Sequence, residues 1–331
     1  MDPQLSQRSR LQQPKPESVS QIKRSDPWFD DGTVIIQAGD TQFRAYRGIL
    51  TVCSPIFQDM FSIPQPTAEA ELVDGCPVVH VSDSAEDWQY VLRALCERRY
   101  VSLGGSLSLS VIAAFLRLGR KYEIAQLHTE ALTRLNYEFP STLEKCEEMV
   151  YSTMIEDDRP LASLVFEVIE LAHEHNLRHL LPWAYTVCCH HITFEDIFGT
   201  FDLDNGRRIK LANDDQRICI IGWRDLVSVQ TKLPFFWLSN DGNPIWDELV
   251  AACSSKRRCI AARQKLRDEI FCHGESPKCC AMTFWDTEWG VDMCGVCGAE
   301  AKEMHHQALV KLWYRLPTIF GLPGWDKIHE E

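Results

Sequence analysis

Three things are scarce or missing in this 331-residue chain, and each removes a class of function. No apolar run approaches the roughly 20 residues that a membrane-spanning helix needs. Met1 to Arg24 lacks the hydrophobic block of a secretory leader, so neither membrane insertion nor export is expected. Positive charge is in deficit. The chain has 34 Lys and Arg against 47 Asp and Glu, a net charge of −13, which argues against a protein that mainly grips nucleic-acid phosphates. Lys256-Arg257-Arg258 is the densest basic run after the N-terminal arm, and it reads as a solvated helix face. The sequence also carries no phosphate-binding glycine loop, nucleophile–base triad or paired acid/base signature, so an enzyme is not expected.

What the chain has in quantity is cysteine. Fourteen thiols without an export signal point to a reducing compartment, cytoplasmic and/or nuclear, where cysteines serve as core residues or metal ligands. An apolar content of 45% and a charged content of 24% are those of an ordinary globular protein, and the length allows two or three domains.

The clearest local pattern lies between Asp30 and Tyr100. Thr33–Ile36 and Thr41–Arg44 flank Gly39-Asp40, and glycine at the first central position suits a two-residue primed hairpin turn. Alternation in the second run places Phe43 and Ala45 on one face and Arg44 and Tyr46 on the other. Ser54-Pro55 reads as an N-cap followed by proline at the first helical position, with Ile56, Phe57 and Met60 as the apolar stripe. Pro77–Val81 reads as a strand. Ser84 then caps a helix whose Trp88, Val91, Leu92 and Leu95 recur at helical spacing.

This order of elements, with Phe43, Ile49-Leu50, Ser54, Phe57 and Met60-Phe61 in register, resembles the BTB/POZ domain. It is most similar to the type abundant in basidiomycete fungi, whose phrases have counterparts in DDGTVIIQA, SPIFQDMFSIPQP and CPVVHVSDSAEDW. The resemblance covers Asp26 to Phe139, and a weaker likeness reaches the end of the chain at Leu316-Pro317 and Phe320–Pro323. It implies an interaction protein with protein partners, one that homodimerises or pairs with a related chain through its first helix, Arg47 to Val52. Asp31 and Arg47 are similar to an acid/base pair that lines the groove between partners in some members; Ile49 and Leu50 complete the expected contact set. Two departures stand out. Tyr46-Arg47 replaces the common His-Arg, and Ser62-Ile-Pro-Gln-Pro66 stands where ubiquitin-ligase adaptors carry a hydrophobic-x-Glu motif. A cullin is therefore a disfavoured partner, and substrate adaptor is the alternative to a plain association module.

Beyond Tyr100, apolar spacing predicts a helix around Val111–Leu118 and a partner from Leu127 to Leu135, ending near Phe139-Pro140. From Ser141 to Phe271 the pattern is mainly helical, with stripes at Leu161–Ala172, Trp183–His191 and Cys219–Val227 and a polar break at Asp202–Asp215. His173, His175, His179, His190 and His191 sit within amphipathic helices and read as structural residues. The expected architecture is α+β. A disordered arm (1–25) precedes a BTB/POZ-like module of a short β-sheet flanked by helices (26–139). A helical extension (140–271) and a small cysteine-rich, zinc-binding segment with an aromatic tail (272–331) follow.

The strongest chemical signal is Cys294-Gly-Val-Cys297, because a C-x2-C turn presents two thiolates to one ion. Cys272 and Cys279 supply the second pair in this reading, giving a four-thiolate structural zinc site. Cys280 is the alternative to Cys279, and His273, His305 and His306 are the substitutes. The competing reading is a thiol or redox enzyme at Cys294/Cys297. The glycine-rich surroundings do not suit a redox motif in a thioredoxin-like unit. The closing stretch Leu312–Trp325 is unusually aromatic and is expected to dock onto the rest of the chain.

Overall fold

The computed structural model describes residues 22–63, 71–97, 100–101, 105–148, 154–203, 206–239, 252–271 and 278–328. The chain divides into two compact units, one ending at Glu97 and the other beginning at Arg98.

The first unit is built on a five-stranded sheet, ordered β1-β3-β2-β5-β4. The strands are β1 (Lys23–Trp28), β2 (Val34–Ala38), β3 (Thr41–Ala45), β4 (Leu72–Val73) and β5 (Cys76–Val81). The β2–β3 hairpin forms as the sequence predicts. Val34 pairs with Ala45 and Ala38 with Thr41, and Gly39 takes φ 60°, a turn conformation that a side chain would strain. β5 lies parallel to β2, with Ile35 opposite Val78. Its neighbour β4 is a short antiparallel addition that the sequence pattern did not signal. β1 runs parallel to β3 from Lys23 onward, so Lys23 to Ser25 of the expected disordered arm belong to a strand. Residues 1–21 lie outside the described residues.

Among the described residues, three helices accompany the sheet: α1 (Arg47–Cys53), α2 (Pro55–Ser62) and α3 (Ala85–Cys96). Ser54 caps α2 by accepting from the Phe57 amide at 3.2 Å, and Ser84 caps α3 by accepting from Asp87 at 3.0 Å. α3 presents Trp88, Val91 and Leu92 to a core that also holds Val34, Ile35, Ile36, Phe43, Leu50 and Phe57. Phe57 meets Trp88 edge-on, with ring centroids 5.8 Å apart. Each such side chain contributes about 1.5–3 kcal/mol through burial, which is what lets a sheet of short strands stand.

Among the described residues the second unit is mainly helical, with a two-stranded hairpin, β6 (Phe201–Asp202) with β7 (Arg208–Ile209), overlapping the stretch expected to be a polar loop, and an isolated bridge between Leu107 and Ile155. α4 (Leu109–Lys121) and α5 (Ala125–Glu138) pack as a helical pair. Their close approach needs Gly119, where a Cβ would meet the His128 backbone nitrogen at 2.8 Å. After α6 (Leu143–Glu148) come α7 (Leu161–Glu174), α8 (Leu181–His191), α9 (Phe194–Ile197) and α10 (Asn213–Gln230). α8 packs against both α7 and α10.

The last part is helical as well: α11 (Lys256–Phe271), within the stretch expected to be helical, is followed by the 25-residue α12 (Gly295–Ile319) and a short α13 (Trp325–Ile328). Leu309, Leu312, Trp313 and Leu316 make one side of α12 apolar enough to bury, which overrides the glycines at its start. The aromatic tail docks as expected: Trp313 and Trp325 stack at 5.6 Å, and Trp325 Nε1–H donates to the Trp313 carbonyl at 2.8 Å. No described helix is long and apolar enough to cross a membrane.

Candidate functional site

Four cysteines converge where the N-termini of α11 and α12 meet. Cys253 lies just before α11 and Cys259 in its first turn, while Cys294 is the N-cap of α12 and Cys297 its third residue. All four Sγ atoms lie within 4.8 Å of one another. Cys253 Sγ is 3.7 Å from that of Cys259 and 3.8 Å from that of Cys294. An ion with metal–sulfur bonds of about 2.3 Å at the centre of a tetrahedron sets sulfur atoms about 3.8 Å apart along each edge. The spacing therefore fits one thiophilic ion and is too tight for a cluster of several irons.

Backbone dipoles favour thiolates here. The Cys294 amide donates to Cys259 Sγ at 3.2 Å. The Cys297 amide, a helix N-terminal donor without an intrahelical partner, pulls the Cys294 thiol down to about 6. Burial pushes Cys259 and Cys297 the other way. Cys294 is thus set to act as a thiolate, and a bound cation would draw off the remaining protons. The walls are apolar: Phe235, Trp237, Leu238, Leu266, Met293 and Ala301 bury the thiols, with Trp285 and Trp289 packed on the outside.

His305 fastens this corner. Fully buried on α12, its ring nitrogens lie 2.8 Å from the Pro234 carbonyl and 2.9 Å from that of Thr283. Phe235 and Trp289 pack on the ring at 5.2 and 5.4 Å. As a substitute metal ligand it is therefore already committed to backbone oxygens. His306 faces Glu147 at 3.2 Å.

Of the cysteines selected from sequence, the structure brings Cys294 and Cys297 together with Cys253 and Cys259. Cys279 is placed elsewhere, and Cys272 and His273 lie outside the described residues. The reason for the placement of Cys279 is Gln230 at the end of α10. Its Oε1 accepts from the Cys280 amide at 2.9 Å and its Nε2 donates to the Lys278 carbonyl at 3.1 Å. That grip ties residues 278–280 to α10. Burial pushes the Cys279 and Cys280 thiols up to about 11 and about 12, as for core residues. Cys253-x5-Cys259 was the pair that the spacing argument missed, because five intervening residues make no tight turn. The available signal was that Ser254-Ser255 between them could start a helix, as Cys294 starts the other.

The histidines of the helical region make protein contacts. His173 Nε2 meets Asp215 Oδ1 at 3.0 Å, His179 Nε2 meets Asn136 Oδ1 at 2.7 Å, and His190 Nε2 accepts from the Met282 amide at 3.2 Å.

In the first unit, the residues expected at an interface lie around α1. Asp31 is exposed and accepts from the Tyr46 hydroxyl at 2.6 Å. Arg47, also exposed, donates to the Phe61 carbonyl at 2.6 Å and lies over the Phe61 ring. Ile49 is half-buried, Leu50 is fully buried beneath α1, and Val52 stands 87% exposed on it.

The family model of the BTB/POZ domain matches residues 29–138. That segment is a BTB/POZ domain. It takes in β2 to β5 of the sheet, α1 to α3 and the α4–α5 pair, and it supports protein–protein interaction as the mode of action. No curated protein matches the chain.

Proposed function

We propose that this chain is a non-enzymatic interaction protein. Its BTB/POZ domain associates with a second copy or a related chain, and its helical remainder holds a further protein partner on a scaffold stiffened by a structural zinc ion. The observation that carries the reading is the BTB/POZ domain at residues 29–138. The domain limits proposed from sequence, 26–139, 140–271 and 272–331, serve this division of labour.

Val52 and Arg47 on α1 are the exposed residues through which pairing is proposed, with Ile49 beside them and Leu50 supporting the helix from below. The cysteine corner supports zinc as the ion. Four soft donors at tetrahedral spacing leave no open position for a water or substrate, which is the arrangement of a structural site. Cys253, Cys259, Cys294 and Cys297 would hold the ion, and the ion would supply a cross-link between the starts of α11 and α12.

Sedimentation of the purified chain across the micromolar range tests the association. A dimer that Val52→Glu converts to a monomer is expected. A wild-type monomer at every concentration, with no paired chain recovered on co-expression with related domains, overturns it. Mixing with a purified cullin separates the adaptor alternative, for which a stoichiometric complex is required. The proposed sites of action are the cytoplasm and the nucleus.

A further inference from the structure

We propose that the cleft between α10 and the last turns of α12 is a docking groove for an acidic amphipathic helix of a partner protein. The inference rests on the reading above that the helical remainder holds a further protein, and it names the chemistry of that partner.

α10 packs on α12 and has more apolar surface than that contact uses. Cys219, Gly222 and Leu226 lie on its buried side. Ile218, Ile221 and Val229 recur at helical spacing on another side and are only half-buried. With Leu233 just past the helix end and Ile319 of α12, they floor two hollows of about 290 and 600 Å³. Thr318 and Ile319 line both hollows, so the two form one groove. From Arg217 to Val229 it follows α10 for about 18 Å, the length of about three helical turns. A helix that is apolar on two sides is ordinarily covered on both.

The charges around this floor indicate what covers it. Arg217, Lys232 and Arg315 line the groove and are exposed. Among the described residues their side chains have no hydrogen-bond or ion-pair partner. Asp225, the acid in the lining, is already paired with Arg224 at 2.7 Å. The groove is therefore cationic on a chain whose net charge is −13. An apolar floor with a cationic rim is complementary to aliphatic residues flanked by carboxylates. Screening confines such attraction to about 8 Å at physiological salt, so the acidity of the whole chain does not cancel it.

The walls also select the form of the occupant. Both are helices, whose backbone groups are bonded internally and offer no free sheet edge. An extended segment would leave its own N–H and C=O groups unpaired against them, whereas a helix satisfies its own. A nucleic-acid strand fits less well, because the lining aromatic, Phe320, is buried and gives no face for a base to stack on.

The test uses the full chain and a fluorescein-labelled helical peptide of about 15 residues, with leucine at i, i+3, i+4 and i+7 and glutamate beside them. The comparison probes are the same peptide with lysine at each glutamate position, and a single-stranded DNA of similar span. Fluorescence anisotropy is read on the wild type, the triple variant R217E/K232E/R315E, R315E alone, Ile221→Gln and Lys145→Glu. Lys145 is exposed on α6 outside the groove lining, so K145E makes the same charge reversal as R315E elsewhere. The acidic peptide should bind saturably and lose about tenfold or more in the triple variant, from three exposed pairs at a few-fold each. R315E and I221Q should each lose a few-fold, K145E should match the wild type, and added salt should weaken wild-type binding. If the triple variant does not fold, Arg217→Gln and Arg315→Gln carry the same test with smaller losses. Absent binding, equal binding of the lysine peptide, tighter binding of the DNA, or a loss in K145E equal to that in R315E overturns the inference. A wild-type dimer that the triple variant dissociates gives the groove to a second copy and overturns it too. Sedimentation of the same samples keeps the two readings apart. A dimer that ignores the peptide fails the groove alone, and a monomer that binds the peptide fails only the association through α1.

Discussion

The sheet at the front of the chain and the thiol corner near its end bury their side chains by different means. The front uses aliphatic and aromatic residues at regular spacing, with Trp88 against Phe57 and Ile35 and Ile36 buried to completion. The corner buries three thiols with a fourth, Cys253, half-buried beside them, and an arginine and a histidine amid tryptophans. Apolar surface needs no particular partner, so the front core can tolerate adjustment. Polar groups buried together must each be satisfied, so the corner depends on a small number of specific contacts and, with the zinc ion proposed above, on a cross-link between its sulfur atoms. The difference predicts where the molecule is adaptable and where it fails abruptly.

The largest effect should come from Cys294→Ser or from stripping the ion with a chelator. Either should abolish stoichiometric zinc and cost up to about 10 kcal/mol at the corner, the scale of structural zinc binding. Hydrogen exchange should rise across α11 and the start of α12 while the front sheet stays protected. Cys279→Ser is the matched control: a normal zinc content in that variant, by elemental analysis, would confirm that Cys279 stands apart from the site. A loss of zinc there would break the comparison.

Next in size is Trp88→Ala, which removes a fully buried indole and should cost about 3–5 kcal/mol in the front unit. Chemical denaturation monitored in both units should find the zinc content unchanged. Gly222→Ala should cost about 1–3 kcal/mol through overpacking, because its Cβ would fall 2.2 Å from the Phe320 ring. That variant shows whether the helical remainder away from the metal obeys ordinary packing; a neutral thermal shift would mean that Phe320 simply moves.

The smallest effect concerns pH. The hydrogen bond to the Asp215 carboxylate raises the His173 pKa. Its stabilising contribution is therefore complete below the unfolded value of about 6.5 and disappears as pH rises through the folded one. The difference in melting temperature between wild type and His173→Gln should shrink from about pH 5.5 toward about pH 8. Half exposure of His173 keeps the effect small.

Much of the front was legible from its residues because the signals there are local. Gly39 sets the hairpin turn, Ser54 and Ser84 cap α2 and α3, and Trp88, Val91 and Leu92 mark the buried face of α3. β1 was not legible, since KRSDPW has none of the β-branched content of a strand and is held by pairing with β3. At the corner, Cys294 and Cys297 are local to each other and were read from spacing alone. Cys253 and Cys259 join them from 35 or more residues upstream, through the packing of α11 on the 236–238 turn that also meets α12. Sequence distance carries no mark of that contact. Adjacent cysteines at 279 and 280 offered a closer and more conspicuous pair, but the side chain of Gln230, 49 residues before Cys279, decides where they go.

The stacked pair of Trp313 and Trp325 gives the end of the chain a specific role. Trp325 lies 8% exposed against Trp313, whose own indole N–H reaches the Ser141 carbonyl at 3.3 Å. Trimming the polypeptide back to Leu322 would uncover one indole, loosen the other and release the turn that precedes α6. A bulky fusion joined close behind Ile328 risks the same injury, whereas a long spacer should leave the latch shut.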